Sequence, residues 1–311
     1  PSGPDELALI QFSSGSTGDP KGIRLTQRQI LHNIRAIIQS LGGRPDDVFL
    51  SWIPLFHDMG LIGAILETIY MGGFTGLMDP SLFVANPLSW LEGITLHRAS
   101  ISGAPNFAFE LCSKKAVDQS IEHLDLRQWR VVFSGAEPVQ ARTIRMFSKT
   151  FAPCGLNEKN WMPCYGLAES TLMVTCTESE IGSTATRFSR KAIEDGLLQP
   201  TSDTDLSSVM LVSNGSIIAD HTLRIVDPKT GQEREAGMIG EIQIAGPSVS
   251  KGYWMSADRS QENPKQGATQ RDSIVRSGPD FLATGDLGAM LGPHLYLTGR
   301  LEDLLIVRGR N

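Results

Sequence analysis

A short loop rich in glycine and serine constrains the fold of this chain more than any other segment. It has the sequence FSSGSTGDPKG at positions 12–22. The apolar run before it predicts a buried strand at 7–12, and Thr26 and Gln29 after it have the spacing of a capping box, which predicts a helix. A glycine loop between a strand and a helix gathers backbone N–H groups around phosphate oxygens. Its spacing differs from that of the Walker loop, because glycine rather than serine or threonine follows Lys21.

Between residue 1 and about residue 180, short β-rich runs alternate with helical ones. The patterns predict strands at 48–53, 99–102 and 130–134, and helices at 60–71, 86–97, 107–117 and 139–150. This alternation is typical of a parallel sheet covered by helices on both faces. Ligands of such sheets bind at the carboxyl ends of the strands. We therefore expect the functional site in the loops that follow the strands.

A second pattern begins near residue 206. Residues 222–227, 239–245 and 295–298 alternate polar and apolar side chains, which predicts antiparallel strands. The predicted fold class is α/β, with a parallel sheet flanked by helices, followed by a small antiparallel β-barrel-like subdomain. We predict an α/β subdomain at 1–205, which includes an insertion at about 182–205, and a β subdomain at 206–300.

The composition excludes several classes of partner and site. The formal net charge is −6 and no cluster of Lys and Arg is long enough to neutralise a row of phosphates, so we expect no nucleic-acid surface. The four cysteines show no Cys-x-x-Cys spacing, which favours reduced, mostly buried thiols in a cytoplasmic protein. No apolar run is long enough to span a bilayer, so we expect no stable membrane insertion.

Two further segments carry residues suited to binding a flat ring or a metal. At 134–138, small residues follow a predicted strand and precede Pro138, a good first residue for a helix. Gly135 and Ala136 there leave room for a flat ring against the backbone, although an ordinary β–α turn has the same composition. In WMPCYGLAE at 161–169, Tyr165 can stack on a base.

Glu169, at the end of that second segment, has two interpretations. It is predicted to lie near a helix N-terminus, where a carboxylate stabilises the helix by opposing its dipole. The alternative is that it serves as a hard oxygen ligand for Mg²⁺.

Taken in order, these segments resemble the adenylate-forming superfamily of acyl- and aryl-CoA synthetases, peptide-synthetase adenylation domains and luciferases. The loop SGSTGDPKG resembles its phosphate loop, YGLAE its metal-binding signature and TGD at 284–286 its ribose site. The resemblance implies ATP and Mg²⁺ as cofactors, Glu169 as the metal ligand, and a hinge at 301–311, with Asp303 at its centre, to a carboxyl-terminal domain. The nucleotide-binding residues that it implies are Ser13, Ser16, Thr17, Gly18, Lys21, Gly135, Ala136, Glu137, Tyr165, Gly166, Leu167, Ala168, Asp286 and Arg300.

The resemblance also gives a role to the loop at 54–60, which borders the carboxylate being activated in that superfamily. It implies that Lys21, His57 and Glu169 take part in catalysis. The acyl pocket that it implies is lined by His57, Met59, Gly60, Ile62, Ala104, Pro105, Asn106 and Phe107. The alternative for this segment is a structural histidine among ordinary core residues.

The finer resemblance is to the fatty acyl-AMP ligases. The segments HDMGLI at 57–62, SGAPNFAFELC at 102–112 and GRLEDLLIVRGRN at 299–311 look like that subfamily, as does the extra segment around 186–195. The resemblance implies activation of a long-chain fatty acid by ATP to an acyl-adenylate, with release of pyrophosphate. Transfer to the phosphopantetheine arm of an acyl carrier protein follows, often in polyketide biosynthesis. Glu302 replaces a lysine often found in the superfamily, which puts the contact made by that lysine in doubt.

Three alternatives remain at this point. A long-chain acyl-CoA ligase has the same fold. An amino-acid-activating domain needs an acidic group for the substrate amine, whereas the segments around His57 and Phe107 are mostly apolar. A catalytically silent scaffold, which only binds nucleotide or a carrier protein, is the third, because the resemblance places a further catalytic lysine beyond residue 311. We expect the chain to be a fragment of a large amino-terminal domain that adenylates poorly by itself.

Overall fold

The fold was analysed in a computed structural model of the chain. The structure describes residues 3–13, 21–178, 181–202, 204–254 and 281–302, together with the backbone at 276–277. The α-helices of this part are α1 Gln27–Leu41, α2 Glu67–Met71, α3 Pro80–Ala85, α4 Leu88–His97, α5 Asn106–Lys115, α6 Ala141–Phe151 and α7 Arg190–Glu194. A π-helix, Met59–Leu66, leads directly into α2, and 3₁₀ turns lie at Ala152–Cys154, Glu158–Asn160 and Ala168–Ser170.

The strands form one large sheet and three smaller ones. They are β1 Leu7–Ser13, β2 Lys21–Thr26, β3 Val48–Ser51, β4 Phe74–Leu77, β5 Ile101–Ala104, β6 Val131–Ser134, β7 Trp161–Gly166, β8 Met173–Cys176, β9 Ala185–Phe188, β10 Val209–Val212, β11 Ser216–Ile217, β12 Thr222–Val226, β13 Gly240–Ala245, β14 Tyr253–Trp254, β15 Arg276–Ser277, β16 Phe281–Leu291 and β17 His294–Arg300.

The large sheet has seven strands in the order β11-β8-β7-β6-β5-β3-β4. Strands β4, β3, β5, β6 and β7 run parallel, which confirms the predicted α/β fold. The sheet is mixed rather than purely parallel, because β8 pairs antiparallel with β7 and β11 antiparallel with β8. A short turn joins β7 to β8, and a parallel return would need a crossover connection. Since β11 belongs to this sheet, the sheet continues beyond residue 205.

The two faces of the large sheet bury different cores, because side chains alternate in direction along a strand. On one face, Leu50, Val132 and Trp161 pack with α4, α5 and α6 in a core rich in aromatic rings. On the other face, Phe49 and Met162 pack with α1 and the π-helix. Helices therefore cover both faces, as the alternating pattern predicts.

The glycine–serine loop joins two strands rather than a strand and a helix. β1 and β2 form an antiparallel hairpin in which Ser13 lies opposite Lys21. The predicted helix follows only after β2, because Ile23 and Leu25 are fully buried while Arg24 between them is exposed, and this period of two is that of a strand. The strand β1 itself is only partly buried.

The capping box that begins α1 is present as predicted. The Gln29 N–H donates to Thr26 Oγ1 over 3.3 Å, and the Thr26 N–H donates to Gln29 Oε1 over 2.8 Å. Two other helix starts differ from the prediction. A separate helix, α3, precedes α4, and its start signal is the N-cap Asp79 followed by Pro80. The helix predicted from Pro138 begins later, at Ala141, because Gln140 is extended.

The second half of the chain contains the predicted antiparallel sheet. It has the order β12-β13-β16-β15, and β17 also pairs with β16. The predicted insertion forms β9 and α7, and β9 pairs with β10. Phe188 of this insertion is fully buried, and its ring lies 5.2 Å from the ring of Tyr296 in β17. The insertion therefore packs against the antiparallel sheet.

The structure gives the burial of the four cysteines and the length of the helices. Cys112, Cys154 and Cys176 are buried free thiols, and Cys164 is a half-buried one. Among the helices of the described residues, none combines the length and the apolar character that a membrane crossing requires.

Candidate active site

A cavity of about 260 Å³ opens where β6 and β7 end, at the carboxyl edge of the large sheet. Loops from both halves of the chain form its mouth. The predicted site residues that line it are Ser13, His57, Met59, Gly135, Ala136, Tyr165, Gly166, Leu167, Ala168, Glu169 and Arg300. The structure thus brings most of the predicted nucleotide segments together around one opening.

The cavity continues inward along the α1 face of the sheet. The side chains of Arg300 and His57 are 63% and 41% exposed, whereas Phe49 and Met162, which line the same cavity, are buried. The apolar residues that line the inner part are Ile37, Leu41, Phe49, Phe133, Met162, Leu172 and Met173. Sequence reasoning missed this wall, because its residues have the spacing of ordinary core.

Asp286 is not among the residues that line the cavity, but it contacts two that are, Tyr165 and Arg300. The Tyr165 hydroxyl donates to Asp286 Oδ2 over 2.7 Å, and Arg300 Nε donates to Asp286 Oδ1 over 2.9 Å. Burial raises the pKa of Tyr165 well above its usual value, and the negative charge of Asp286 adds to this, so the phenol keeps its proton and remains a donor. A carboxylate can accept about four hydrogen bonds, so Asp286 has capacity for further donors.

Glu169 is held by a residue that the sequence analysis did not single out. It lies in the 3₁₀ turn Ala168–Ser170, and the Tyr253 hydroxyl donates to its Oε1 over 2.9 Å. Lys21 Nζ lies 5.4 Å from the centre of the Tyr253 ring, at the distance of a cation–π contact. Tyr253 therefore connects the predicted phosphate lysine with the predicted metal ligand. Its signal in the sequence was weak, a short Gly-Tyr-Trp run that forms β14 beside β2.

His57 and Asp58 form an ion pair at the mouth of the cavity. His57 Nδ1 lies 2.7 Å from Asp58 Oδ1, which also accepts a hydrogen bond of 2.7 Å from the Met59 N–H at the start of the π-helix. The hydrogen bond to Asp58 raises the pKa of His57 above its ordinary value, although burial opposes the shift. Asp58 thus favours the protonated form of the His57 ring beside the opening.

We expect Asp58→Asn to lower the pKa of His57, because the amide supplies no negative charge to stabilise the imidazolium. An NMR titration of the histidine side chains measures this, with the exposed Asp118→Asn as the control. The stabilisation that the pair gives the fold is present below the ordinary histidine pKa of about 6.5 and is lost as the pH rises through the raised pKa. An unchanged His57 titration in Asp58→Asn would contradict this account.

Several predicted acyl-pocket residues lie away from the cavity lining. Ile62 is fully buried against β2 and α1, and Ala104 is fully buried in the aromatic-rich core. A Cβ on Gly60 would overlap the carbonyl oxygen of Pro54, so its small size serves close packing of the loop on the π-helix. Pro105 and Asn106 begin α5 on the other face of the sheet.

The remaining residues of that predicted wall serve the start of α5. The Phe107 N–H donates to Glu137 Oε1 over 2.6 Å, and the Gln140 N–H donates to Asn106 Oδ1 over 3.0 Å. Phe107, Asn106 and Glu137 thus tie α5 to the loop that follows β6.

The loop after β6 has an unusual backbone beside the cavity. Ala136 has φ of +65°, a left-handed conformation that non-glycine residues seldom adopt. A Cβ on the neighbouring Gly135 would lie 2.7 Å from Cys164 Sγ, so glycine permits close contact between β6 and β7. Strained backbone of this kind often lies at binding sites. The predicted residues Ser16, Thr17, Gly18 and Asp303 lie outside the described residues.

Comparisons with known proteins identify the family of the chain. The profile of the AMP-binding enzyme family matches residues 1–254. The chain is 37% identical to the medium-chain-fatty-acid–[acyl-carrier-protein] ligase TtuA of Teredinibacter turnerae over 313 aligned positions, which cover 99% of this chain and 48% of that protein. The chain spans about half the length of the curated relatives it matches.

Solved structures give the same result. The crystal structure of a fatty acid AMP ligase from Legionella pneumophila matches with a TM-score of 0.87 and 36% identity, over 98% of this chain and 52% of that one. A fatty acyl-adenylate ligase of the same organism, in complex with acyl adenylate and pyrophosphate, matches with a TM-score of 0.85 and 36% identity over the same shares. On the profile match, which covers most of its length, the chain belongs to the AMP-binding enzyme family.

Proposed function

We propose that the protein to which this chain belongs activates a fatty acid with ATP, forming an acyl-adenylate and pyrophosphate, and passes the acyl group to an acyl carrier protein. The observation that carries this proposal is the distribution of polar and apolar residues around this cavity. Polar and glycine-rich loops surround its mouth, and an apolar passage leads inward from them. An acyl-adenylate has the same division into a polar nucleotide and an apolar chain.

The mouth suits a nucleotide. Asp286, held by Tyr165 and Arg300, is able to accept the two hydroxyls of a ribose. The loop at Gly135 and Ala136 offers its backbone to the adenine ring. Lys21 and Glu169 both contact Tyr253, and charge-assisted hydrogen bonds to the triphosphate are expected on this side of the mouth.

Glu169 suits Mg²⁺. It lines the cavity, and one of its oxygens is already oriented by the Tyr253 hydroxyl. Mg²⁺ in nucleotide sites is commonly bound through one or two carboxylates together with substrate phosphates, so a single protein carboxylate fits the ion. When bound, the ion would neutralise charge on the phosphates.

The chemistry needs positioning more than a protein nucleophile. A carboxylate oxygen of the fatty acid attacks the α-phosphorus, the bond from that phosphorus to the bridging oxygen breaks, and pyrophosphate leaves. Holding the two reactants in line offsets about 7–11 kcal/mol of such a barrier. Lys21, and His57 when it is protonated, would attract the phosphates and the carboxylate. Cys164 lines the cavity but does not serve as a nucleophile, because burial raises the pKa of its thiol to about 12.

Different observations support an acyl carrier protein as the partner and the cytoplasm as the location. TtuA is named as an acyl-carrier-protein ligase. The segment around 186–195 resembles the fatty acyl-AMP ligases, and it packs on the antiparallel sheet through Phe188. The use of ATP and the free thiols favour the cytoplasm.

Binding of a stable acyl-adenylate mimic to the chain tests the proposal. Acyl sulfamoyladenosine is expected to bind, and Asp286→Ala is expected to weaken binding roughly 10- to 100-fold, because a charge-assisted hydrogen bond is lost. Isothermal titration calorimetry measures both affinities. Asp195→Ala, an exposed carboxylate in α7's C-cap, is the matched control and should leave the affinity unchanged. A folded chain that does not bind the mimic, or an affinity insensitive to Asp286, would refute the proposal.

A further inference from the structure

Glu67 is an acidic residue in the apolar part of the cavity, and the chemistry above does not use it. It is the first residue of α2, only 2% of it is exposed, and it lines the cavity together with Gly63 of the π-helix. Its Oε1 is buried without a hydrogen-bond partner among the described residues. Buried polar atoms are almost always paired in native proteins, so an unpaired one that faces a cavity indicates a missing partner.

The nearest charges do not supply that partner. Arg130 binds Asp47 through two nitrogens, and Arg130 Nη1 also donates to the Leu41 carbonyl over 2.9 Å. This buried pair lies at the amino edge of the sheet, next to Leu41 at the inner end of the cavity. The guanidinium is thus committed to Asp47 and to the end of α1.

The protonation state of Glu67 follows from this setting. Burial raises the pKa of its carboxyl well above the ordinary value, and the negative charge of Asp47 raises it further. This direction favours the neutral carboxylic acid, which offers one O–H donor and one acceptor oxygen. A second anion or a desolvated cation beside it would be unfavourable, whereas an uncharged oxygen matches it.

We propose that Glu67 selects the acyl substrate, by forming a hydrogen bond with a hydroxyl or carbonyl oxygen near the far end of the acyl chain. This inference rests on the proposed function, because it requires the acyl chain to occupy the inner cavity. The surrounding wall of Ile37, Leu41, Phe49 and Met162 is apolar and offers no other partner for such an oxygen. A plain alkyl chain would pack against this wall but would leave Glu67 Oε1 without a hydrogen-bond partner. The preferred substrate class is thus an acyl chain with a distal hydroxyl or oxo group.

The test compares acyl sulfamoyladenosines of equal chain length with and without a hydroxyl, whose position is moved stepwise along the chain. The unaltered protein is expected to prefer one distal hydroxyl position by about tenfold over the plain chain. Glu67→Met, which has similar length but no hydrogen-bonding group, should lose this preference and bind the plain chain at least as well. Glu67→Gln should keep much of it, since the amide N–H donates. Glu194→Met, an exposed glutamate of α7, is the control.

The outcomes separate the two proposals. If no analogue binds the folded protein, the proposed function fails and this inference fails with it. If the plain chain binds but every hydroxylated analogue binds equally or more weakly, only the role of Glu67 is overturned. The same holds if Glu67→Met changes the affinity for both analogues by one factor, or if an amino-substituted chain binds most tightly. If Glu67→Met does not fold, the preference of the unaltered protein for the hydroxylated over the plain acyl chain still tests the proposal.

Discussion

Arg130→Met is expected to destabilise the fold by about 3–5 kcal/mol, because it leaves a buried carboxylate without its partner. Asp47 is only 3% exposed, and Arg130 contacts both of its oxygens. Arg130 also donates to the carbonyls of Leu41 and Gly42, which end α1. The substitution therefore removes the hydrogen bonds to these two carbonyls as well as the ion pair with Asp47.

The matched control is Arg127→Met, three residues earlier in the chain. Arg127 makes a geometrically similar pair with Asp125, but its side chain is 73% exposed, and exposed pairs contribute little to stability. Urea unfolding at pH 7 measures the free energy of both variants against the unaltered chain. Equal stabilities for Arg130→Met and Arg127→Met would contradict the argument from burial.

The same pair predicts a pH dependence. Burial acts to raise the pKa of Asp47, but hydrogen bonds from Arg130, Ser100 and the Arg44 N–H outweigh it, so the pKa lies below its ordinary value. Because the pKa of Asp47 is lower in the folded than in the unfolded chain, its ionised form stabilises the fold at pH values above the unfolded pKa of about 3.9. This stabilisation is lost as the pH falls through the lower pKa of the folded chain. The difference in stability between the unaltered chain and Arg130→Met should therefore narrow in acid below about pH 4. A difference that stays constant to lower pH would show that another group is responsible.

Gly166→Ala is the second change with a large expected effect, about 3 kcal/mol or more of lost stability. An added Cβ would overlap the carbonyl oxygen of Leu172 and lie 2.9 Å from the Cα of Met173. Both are backbone atoms of the turn that returns the chain into β8, so no side-chain rotation relieves the overlap. The turn carries Glu169, and we expect its hydrogen bond with Tyr253 to be lost along with the fold's stability.

Gly252→Ala is the control for Gly166→Ala. A Cβ on Gly252 meets nothing within 4 Å, and Gly252 lies next to the same Tyr253. Denaturant unfolding should show a large loss for Gly166→Ala and little change for Gly252→Ala. The Leu172 backbone fills the space on the Cβ side of Gly166, and Gly166 also lines the cavity, so its predicted contact with the nucleotide stays a prediction. If Gly166→Ala were as stable as Gly252→Ala, this would contradict the close backbone packing described for the turn.

The parts of the fold that local signals determine were predictable. The capping box of Thr26 and Gln29 specifies the start of α1 through contacts three residues apart. Three strands of the large sheet, β3, β5 and β6, follow from short β-rich runs between helical segments, whereas β4, β7, β8 and β11 were not predicted. The strand β2 was missed because its alternating pattern is short and lies between two stronger signals, the glycine loop and the capping box.

Residues alone therefore determined the α/β class of the fold, the start of α1 and the family that these segments resemble. Contacts between distant positions decided the rest. Tyr253 meets Glu169 across 84 positions, Tyr165 meets Asp286 across 121, and Arg130 meets Asp47 across 83. The physical reason is that a local pattern encodes the direction of a side chain from its own backbone but not what the rest of the chain packs against it. The apolar wall of the cavity and the buried Glu67 consequently became visible only once α1, the π-helix and the sheet were assembled.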